Sequence, residues 1–195
     1  MTTTTRKITL NPPNTTSFQP SISLDHIIGT WHVTHSTLPL WKNKKDVTIS
    51  YTEPTYTPSG SPQSFNDIVE YRSLSSPPSK PRTVINGVDT LDLASPESAP
   101  TRFKWRGKGW LMIASSKWQL LGYNPPGEDG EEWAVTFFEK TLFTPPGLDV
   151  YARTEKGLPE DLIKGIVESL KGLGNEEITK LADTFFEVQR SGTSQ

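Results

Sequence analysis

Alternation of apolar and polar residues runs through most of this chain and predicts a succession of short strands. Between Thr30 and Ser36, Trp31, Val33 and His35 share one face and Thr30, His32 and Thr34 the other, the period of two of a half-buried strand. Val47, Ile49 and Tyr51 alternate with Thr48 and Ser50 in a second strand, and Phe65 to Ser73 forms a third. Thr83 to Leu93 alternates weakly and is assigned one irregular strand. Four further strands follow: Arg102 to Ala114, bent at Gly107 and Gly109; Lys117 to Tyr123; Trp133 to Lys140; and Leu148 to Arg153. Only then does the period change. Leu158, Leu162, Ile166 and Leu170 recur every four residues, with acidic residues in the first turn and Gly172 and Gly174 beyond the end, which predicts an amphipathic helix. Asn175 caps a short second turn through Leu181, and 184–189 reads as a closing strand, because adjacent Phe185 and Phe186 would need a helix buried on two sides.

About eight consecutive antiparallel strands followed by a helix make a mainly β protein, and an eight-stranded up-and-down antiparallel barrel is the arrangement that removes both sheet edges. The 17 prolines and 14 glycines gather between the periodic runs, as turn residues should. Residues 1–22 are rich in Thr, Pro and Ser and read as a flexible arm; 23–190 form the barrel and its helix, and 191–195 a tail. Apolar residues make up only 33% of the 195, yet there are 6 Trp, 8 Phe and 5 Tyr, so a few large rings must carry much of the core.

A net charge of -2 favours neither nucleic acid nor an anionic membrane as partner, and no stretch is long and apolar enough for a membrane span. The absence of cysteine removes disulfides and thiolate chemistry and, with no apolar leader near Met1, points to a cytoplasmic protein.

Gly29, Thr30 and Trp31 stand where an apolar approach, Leu24 to Ile28, turns into the first strand. Gly29 allows a close-packed backbone, and Trp31 brings a ring whose N–H needs a partner once buried. Together with the strand ending Val150 to Glu155, the helix Leu158 to Leu170 and the segment Phe185 to Gln189, this pattern resembles the lipocalin family of the calycin superfamily over about residues 24 to 190, and its ending resembles the bacterial lipocalin and apolipoprotein D branch. The resemblance implies that Arg153 packs on Trp31 at the closed end of the barrel, with Gly29, Trp31 and Arg153 in structural roles. It further implies that a small hydrophobic molecule is bound inside. The family's Thr-Asp-Tyr type turn is missing near Tyr123 to Glu132, where Asn124-Pro125-Pro126-Gly127 stands instead.

Candidate pocket residues follow from side-chain chemistry. Leu38, Leu40 and Trp41 make the first loop apolar, as a cover over the open end would be. Trp105, Trp110 and Trp118 are candidate walls, and Tyr51 and Tyr71 each offer a ring and one hydroxyl. Core packing is the alternative for all of these. His35, on the Trp31 face, is a candidate for orienting a ligand or moving a proton; a hydrogen-bonded rim histidine is the plainer reading. His32 and His35, three apart on a strand, are expected on opposite faces and so share no metal. All three histidines precede residue 36, whereas the resemblance implies a late-strand histidine in a haem-binding member, which argues against haem; no phosphate loop or nucleophile triad appears, so no cofactor or metal is expected. Glu70, Glu139 and Glu187 are expected to face water.

Two functions fit. The first is a barrel that binds a small hydrophobic molecule. The second is a cofactor-independent cyclase or isomerase of a natural-product pathway, folding its substrate in the cavity with His35, Tyr51 or Lys104 as hydrogen-bond donor. A filled barrel serving protein interaction is a blander third.

Overall fold

The computed structural model describes residues 8–19, 24–56, 58, 62–92, 101–109, 112–125 and 131–192. Eight strands close into one antiparallel barrel: β1 (Gly29–Ser36), β2 (Lys44–Tyr56), β3 (Pro62–Ser73), β4 (Thr83–Leu91), β5 (Arg102–Gly107), β6 (Ser115–Asn124), β7 (Trp133–Phe138) and β8 (Gly147–Ala152). Each pairs with the next, and β1 pairs with both β8 and β2, so the sheet has no free edge along the shared ladders. Two helices follow, α1 (Glu160–Lys171) and α2 (Glu176–Ala182), then a two-residue strand β9 (Phe186–Glu187). The fifth strand ends at Gly107 rather than running on to Ala114.

The helix lies outside the barrel. Leu162, Ile163, Ile166 and Leu170 of α1 and Ile178 of α2 pack with Leu121, Trp133, Val135, Phe137, Leu148 and Val150, the outward residues of β6 to β8. Their alternate neighbours, including Trp118, Leu120, Ala134 and Tyr151, belong to a second cluster inside the barrel. The period of two thus separates two cores across one wall. Asn175 caps α2, its side chain accepting from the Ile178 amide at 3.0 Å.

The closing segment is a strand, as the adjacent phenylalanines suggest. β1 and β2 pair only from Gly29 to His32, and beyond that point β9 takes the place of β2 beside His35 and Ser36, while Gln189 bridges to Lys45. The C-terminus therefore fills the gap where the two strands diverge.

The N-terminal arm is not loose over its described part. The Asn11 amide donates to the Leu121 carbonyl at 2.7 Å, Ile8 and Leu10 join the helix-side core, and Phe18 is buried in the barrel cluster. Leu10 lies where a side chain on Gly122 would stand. Scattered apolar residues in a Thr/Pro-rich stretch thus drape 8–19 along the outside and one end of the barrel.

Connections alternate between the ends of an up-and-down barrel. One end carries the start of β1 and the links β2–β3, β4–β5 and β6–β7. It is plugged by Ile27 from the 3-10 turn Leu24–Ile27 and by Trp31, whose Nε1 donates to the Ile27 carbonyl at 2.7 Å. The Arg153 guanidinium sits 3.5 Å from the Trp31 ring centroid and donates to the carbonyls of His26, Ile28 and Thr30. Gly29 has φ +108, a conformation that favours glycine, and a Cβ there would also press on Arg153 Nη1 at 3.1 Å. The opposite end, with the links β1–β2, β3–β4, β5–β6 and β7–β8, is the mouth.

Candidate binding site in the barrel interior

Register decides which side chains enter the barrel. Tyr51, Asp67 and Gly87 lie side by side across β2 to β4, so the inward rows are Ile49 and Tyr51; Phe65, Asp67, Val69 and Tyr71; and Ile85, Gly87, Asp89 and Leu91. Phe103 and Trp105 continue the row on β5, and Trp118 and Phe138 on β6 and β7.

The waist of the barrel is filled by rings. Tyr51, Phe65, Phe103 and Trp118 are at most 2% exposed. Tyr51 stacks on Trp118 with centroids 5.7 Å apart, Phe103 stacks on Trp118 at 4.8 Å, and Phe65 meets Tyr51 and Phe103 edge-on at 5.0 and 5.1 Å. Nearer the mouth, Val69, Tyr71, Ile85, Trp105 and Phe138 point inward by register yet are only partly buried. An aromatic floor beneath apolar walls that solvent still reaches makes a cup. Trp105 lies over Gly87, where a Cβ would come within 2.2 Å of its Nε1. Gly87→Ala must displace that indole, and a cost of about 1–3 kcal/mol with a shifted Trp emission is the expected outcome of thermal melts and fluorescence.

Three carboxyls are buried among these apolar groups. Asp67 and Asp89 hydrogen-bond to one another, and Asp89 Oδ1 accepts from Trp118 Nε1 at 2.8 Å. Burial pushes Asp67 up to about 7; burial, and then the Asp67 charge, holds Asp89 well above the usual carboxylate range. Asp67 Oδ1 and Asp89 Oδ2 are buried without a hydrogen-bond partner, and a proton on one of the two carboxyls relieves the repulsion between them. Asp149, on β8, accepts from Ser36 Oγ at 2.5 Å and from Trp41 Nε1 at 3.2 Å, and burial raises it to about 7. The phenols of Tyr51 and Tyr151 are likewise raised far above their ordinary value by burial.

The predicted site residues divide accordingly. Tyr51 and Trp118 form the floor, and Tyr71 and Trp105 the wall. Trp41 is 8% exposed, bonded to Asp149 and edge-on to Tyr71 at 6.2 Å, so it is a fixed plug over one side of the cup rather than a loose cover. Leu38 is buried against Gly147, whereas Leu40 is 40% exposed. Trp110 lies outside the described residues.

Two candidates leave the interior. Lys104, between the inward Phe103 and Trp105, points outward and pairs with Asp92 at 2.7 Å. His35 is also outside: an irregularity between Val33 and His35 inserts a residue, so Val33 registers with inward Tyr151 but His35 with outward Val150. His35 stands beside Glu187 of β9, and burial lowers its pKa, as it does that of His32. Both histidines are therefore on the outer face, not on opposite faces as strict alternation predicts. Among the described residues no group of three or more His, Cys, Asp or Glu is placed to hold a metal ion. Glu70, Glu139 and Glu187 are on the outer face and pair with Arg82, Arg102 and Arg190.

Sequence reading missed the interior aspartates and Ile85. The signal was present: Asp67 occupies the apolar phase of Phe65, Val69 and Tyr71, and Asp149 shares the phase of Tyr151.

A closed eight-stranded antiparallel barrel, plugged by a Trp–Arg pair at one end and flanked by a C-terminal helix, is the fold of the lipocalins. Among solved structures the chain is similar to apocrustacyanin C2 and apocrustacyanin C1, each with a TM-score of 0.55 and 12% identity, covering 85% of this chain and 78% of theirs. No protein-family model matches the chain, and no curated protein does.

Proposed function

We propose that the protein binds a small hydrophobic molecule in the cup at the barrel mouth. The observation that carries this reading is the set of inward apolar side chains, Val69, Tyr71, Ile85, Trp105 and Phe138, left partly exposed above a floor of buried rings. An uncharged ligand with one polar atom suits the site, since burying an apolar body there is favourable and the Asp67–Asp89 pair below, raised by burial, offers a hydrogen bond. The arrangement Arg153, Thr154, helix, short strand supports placing the chain near the bacterial lipocalin and apolipoprotein D branch, and the lack of cysteine supports a cytoplasmic home. No described helix is long and apolar enough to cross a membrane.

Ile85→Trp fills the cup from the wall. It is expected to weaken binding of a hydrophobic fluorescent probe by about tenfold or more while the melting temperature holds, because the added ring enters space rather than packed core. Unchanged probe affinity with an unchanged melt sets the cup aside as the site.

One observation favours a second reading, a cofactor-independent cyclase or isomerase. Asp89, held well above the usual carboxylate range by burial and set on the inward face beside Trp105, is a candidate proton donor for a bound polyene or carbonyl. His35 and Lys104 have no part in it, being outside the barrel. Turnover abolished by Asp89→Asn would support it, and a bound molecule recovered unchanged would favour the carrier.

A further inference from the structure

The net charge of -2 conceals a strong polarity along the barrel axis. The four connections at the mouth, 37–43, 74–82, 108–114 and 139–146, contain Lys42, Lys80, Arg82, Lys108 and Lys140 against a single carboxylate, Glu139, which is bridged to Arg102 at 2.7 Å. The described residues of the three connections at the plugged end, 58, 92, 101, 125, 131 and 132, include Asp92, Glu131 and Glu132 and no lysine or arginine.

Exposed apolar side chains gather at the same basic end. Leu142 is 95% exposed, Ile113 93%, Phe143 84% and Met112 62%, all on mouth connections; Leu40 and Val84 add 40% and 49% beside them. Tyr56 alone among the large exposed hydrophobics described belongs to the other end, where its hydroxyl bonds Asp25. Leu142 and Phe143 sit at the tip of a turn fixed by Thr141 and Thr144, whose hydroxyls are 2.8 Å apart, so the turn presents them outward. Apolar tips of this kind cost free energy in water and are retained where something covers them.

We propose that the mouth docks on an anionic lipid surface, with Ile113, Leu142 and Phe143 entering the headgroup boundary and Lys42, Lys80 and Lys140 meeting the lipid charges. Charge complementarity selects this occupant. A second copy docking mouth to mouth would oppose one basic ring with another, and mouth to plugged end would give a contact that does not close. Docking in this pose places the cup entrance on the bilayer; that consequence rests on the function proposed above, whereas the docking itself does not.

The test is flotation of the full chain with vesicles of phosphatidylcholine alone or mixed with phosphatidylserine. Binding to the mixed vesicles only, weakened by added salt, is expected. Leu142→Ser combined with Phe143→Ser lowers the partition about tenfold or more, and Lys42→Glu with Lys80→Glu at least as much, with near-UV circular dichroism unchanged because all four side chains are exposed. No binding to the mixed vesicles at low salt overturns the proposal, as does equal partition of wild type and both variants. A lipid-independent dimer in sedimentation that the Leu142/Phe143 variant abolishes also overturns it, assigning the face to a second copy. Hydrophobic-probe binding in the cup, measured without vesicles, is unaffected by these substitutions, so loss of docking and loss of the cup's function are separate results.

Discussion

Trp31→Ala lowers the unfolding free energy by about 3–5 kcal/mol, the range for deleting a fully buried large aromatic. For a chain of this size that is a drop of roughly 6–20 °C in melting temperature. The size of the effect follows from what the ring joins. Trp31 is 1% exposed, contacts Tyr151 at 6.3 Å between centroids, donates to the Ile27 carbonyl and carries the Arg153 guanidinium on its face. Its loss leaves a cavity at the plugged end and removes the surface that positions Arg153 against three backbone carbonyls. Arg153→Met, which keeps the stem and deletes the charge, unpairs those carbonyls and costs about 1–3 kcal/mol. Thermal and urea melts of the two variants and their combination check both figures. A loss below about 1 kcal/mol for Trp31→Ala contradicts a packed plug.

The second large effect is a dependence of stability on pH that runs against the usual direction for carboxylates. An aspartate in the unfolded chain ionises near 3.9 (about the model-peptide value), whereas Asp67 and Asp149 in the fold are raised to about 7 by burial. Between these values the folded protein holds protons that the unfolded chain has released. Stability therefore falls as pH rises from about 4 to about 7, by up to roughly 1.4 kcal/mol per pH unit for each group, and Asp89, held well above the usual carboxylate range, adds to the fall in the same sense. His32 and His35, lowered by burial, act in the opposite sense below their ordinary 6.5. Comparison with a variant cancels them. Asp67→Asn replaces the shared proton with a permanent N–H donor to Asp89, and its stability relative to wild type is expected to climb through that window. Urea midpoints of the two proteins at several pH values give the difference directly; parallel curves contradict a proton held between Asp67 and Asp89.

How far the sequence carried the reading depended on how local each cause was. Strand number, order and the helix were legible because α1 and most strands keep one period long enough to show it, even though β1 and β6 carry an irregularity and the fourth strand alternates weakly. The Trp31–Arg153 pair was legible through a family resemblance, and it is in place. His35 was misplaced because one extra residue between Val33 and His35 inverts the face of everything after it, and nothing in Val33-Thr34-His35 announces a bulge. Lys104 was offered as a donor although its neighbours Phe103 and Trp105 already fix it outward, so that error was avoidable. The aspartates were overlooked because acidic residues were sought where they would be solvated; Asp67 in phase with Phe65 and Tyr71 marks a carboxyl set among rings. The charge polarity was invisible in a net charge, and emerged only when topology sorted the connections between two ends.

The most direct measurement is native mass spectrometry of wild type and Ile85→Trp after exposure to a mixture of long-chain and aromatic hydrophobic compounds. The cup account predicts a stoichiometric adduct on the wild type that is lost on denaturation and absent from the variant. An adduct of equal occupancy on both proteins, or none on the wild type, contradicts it.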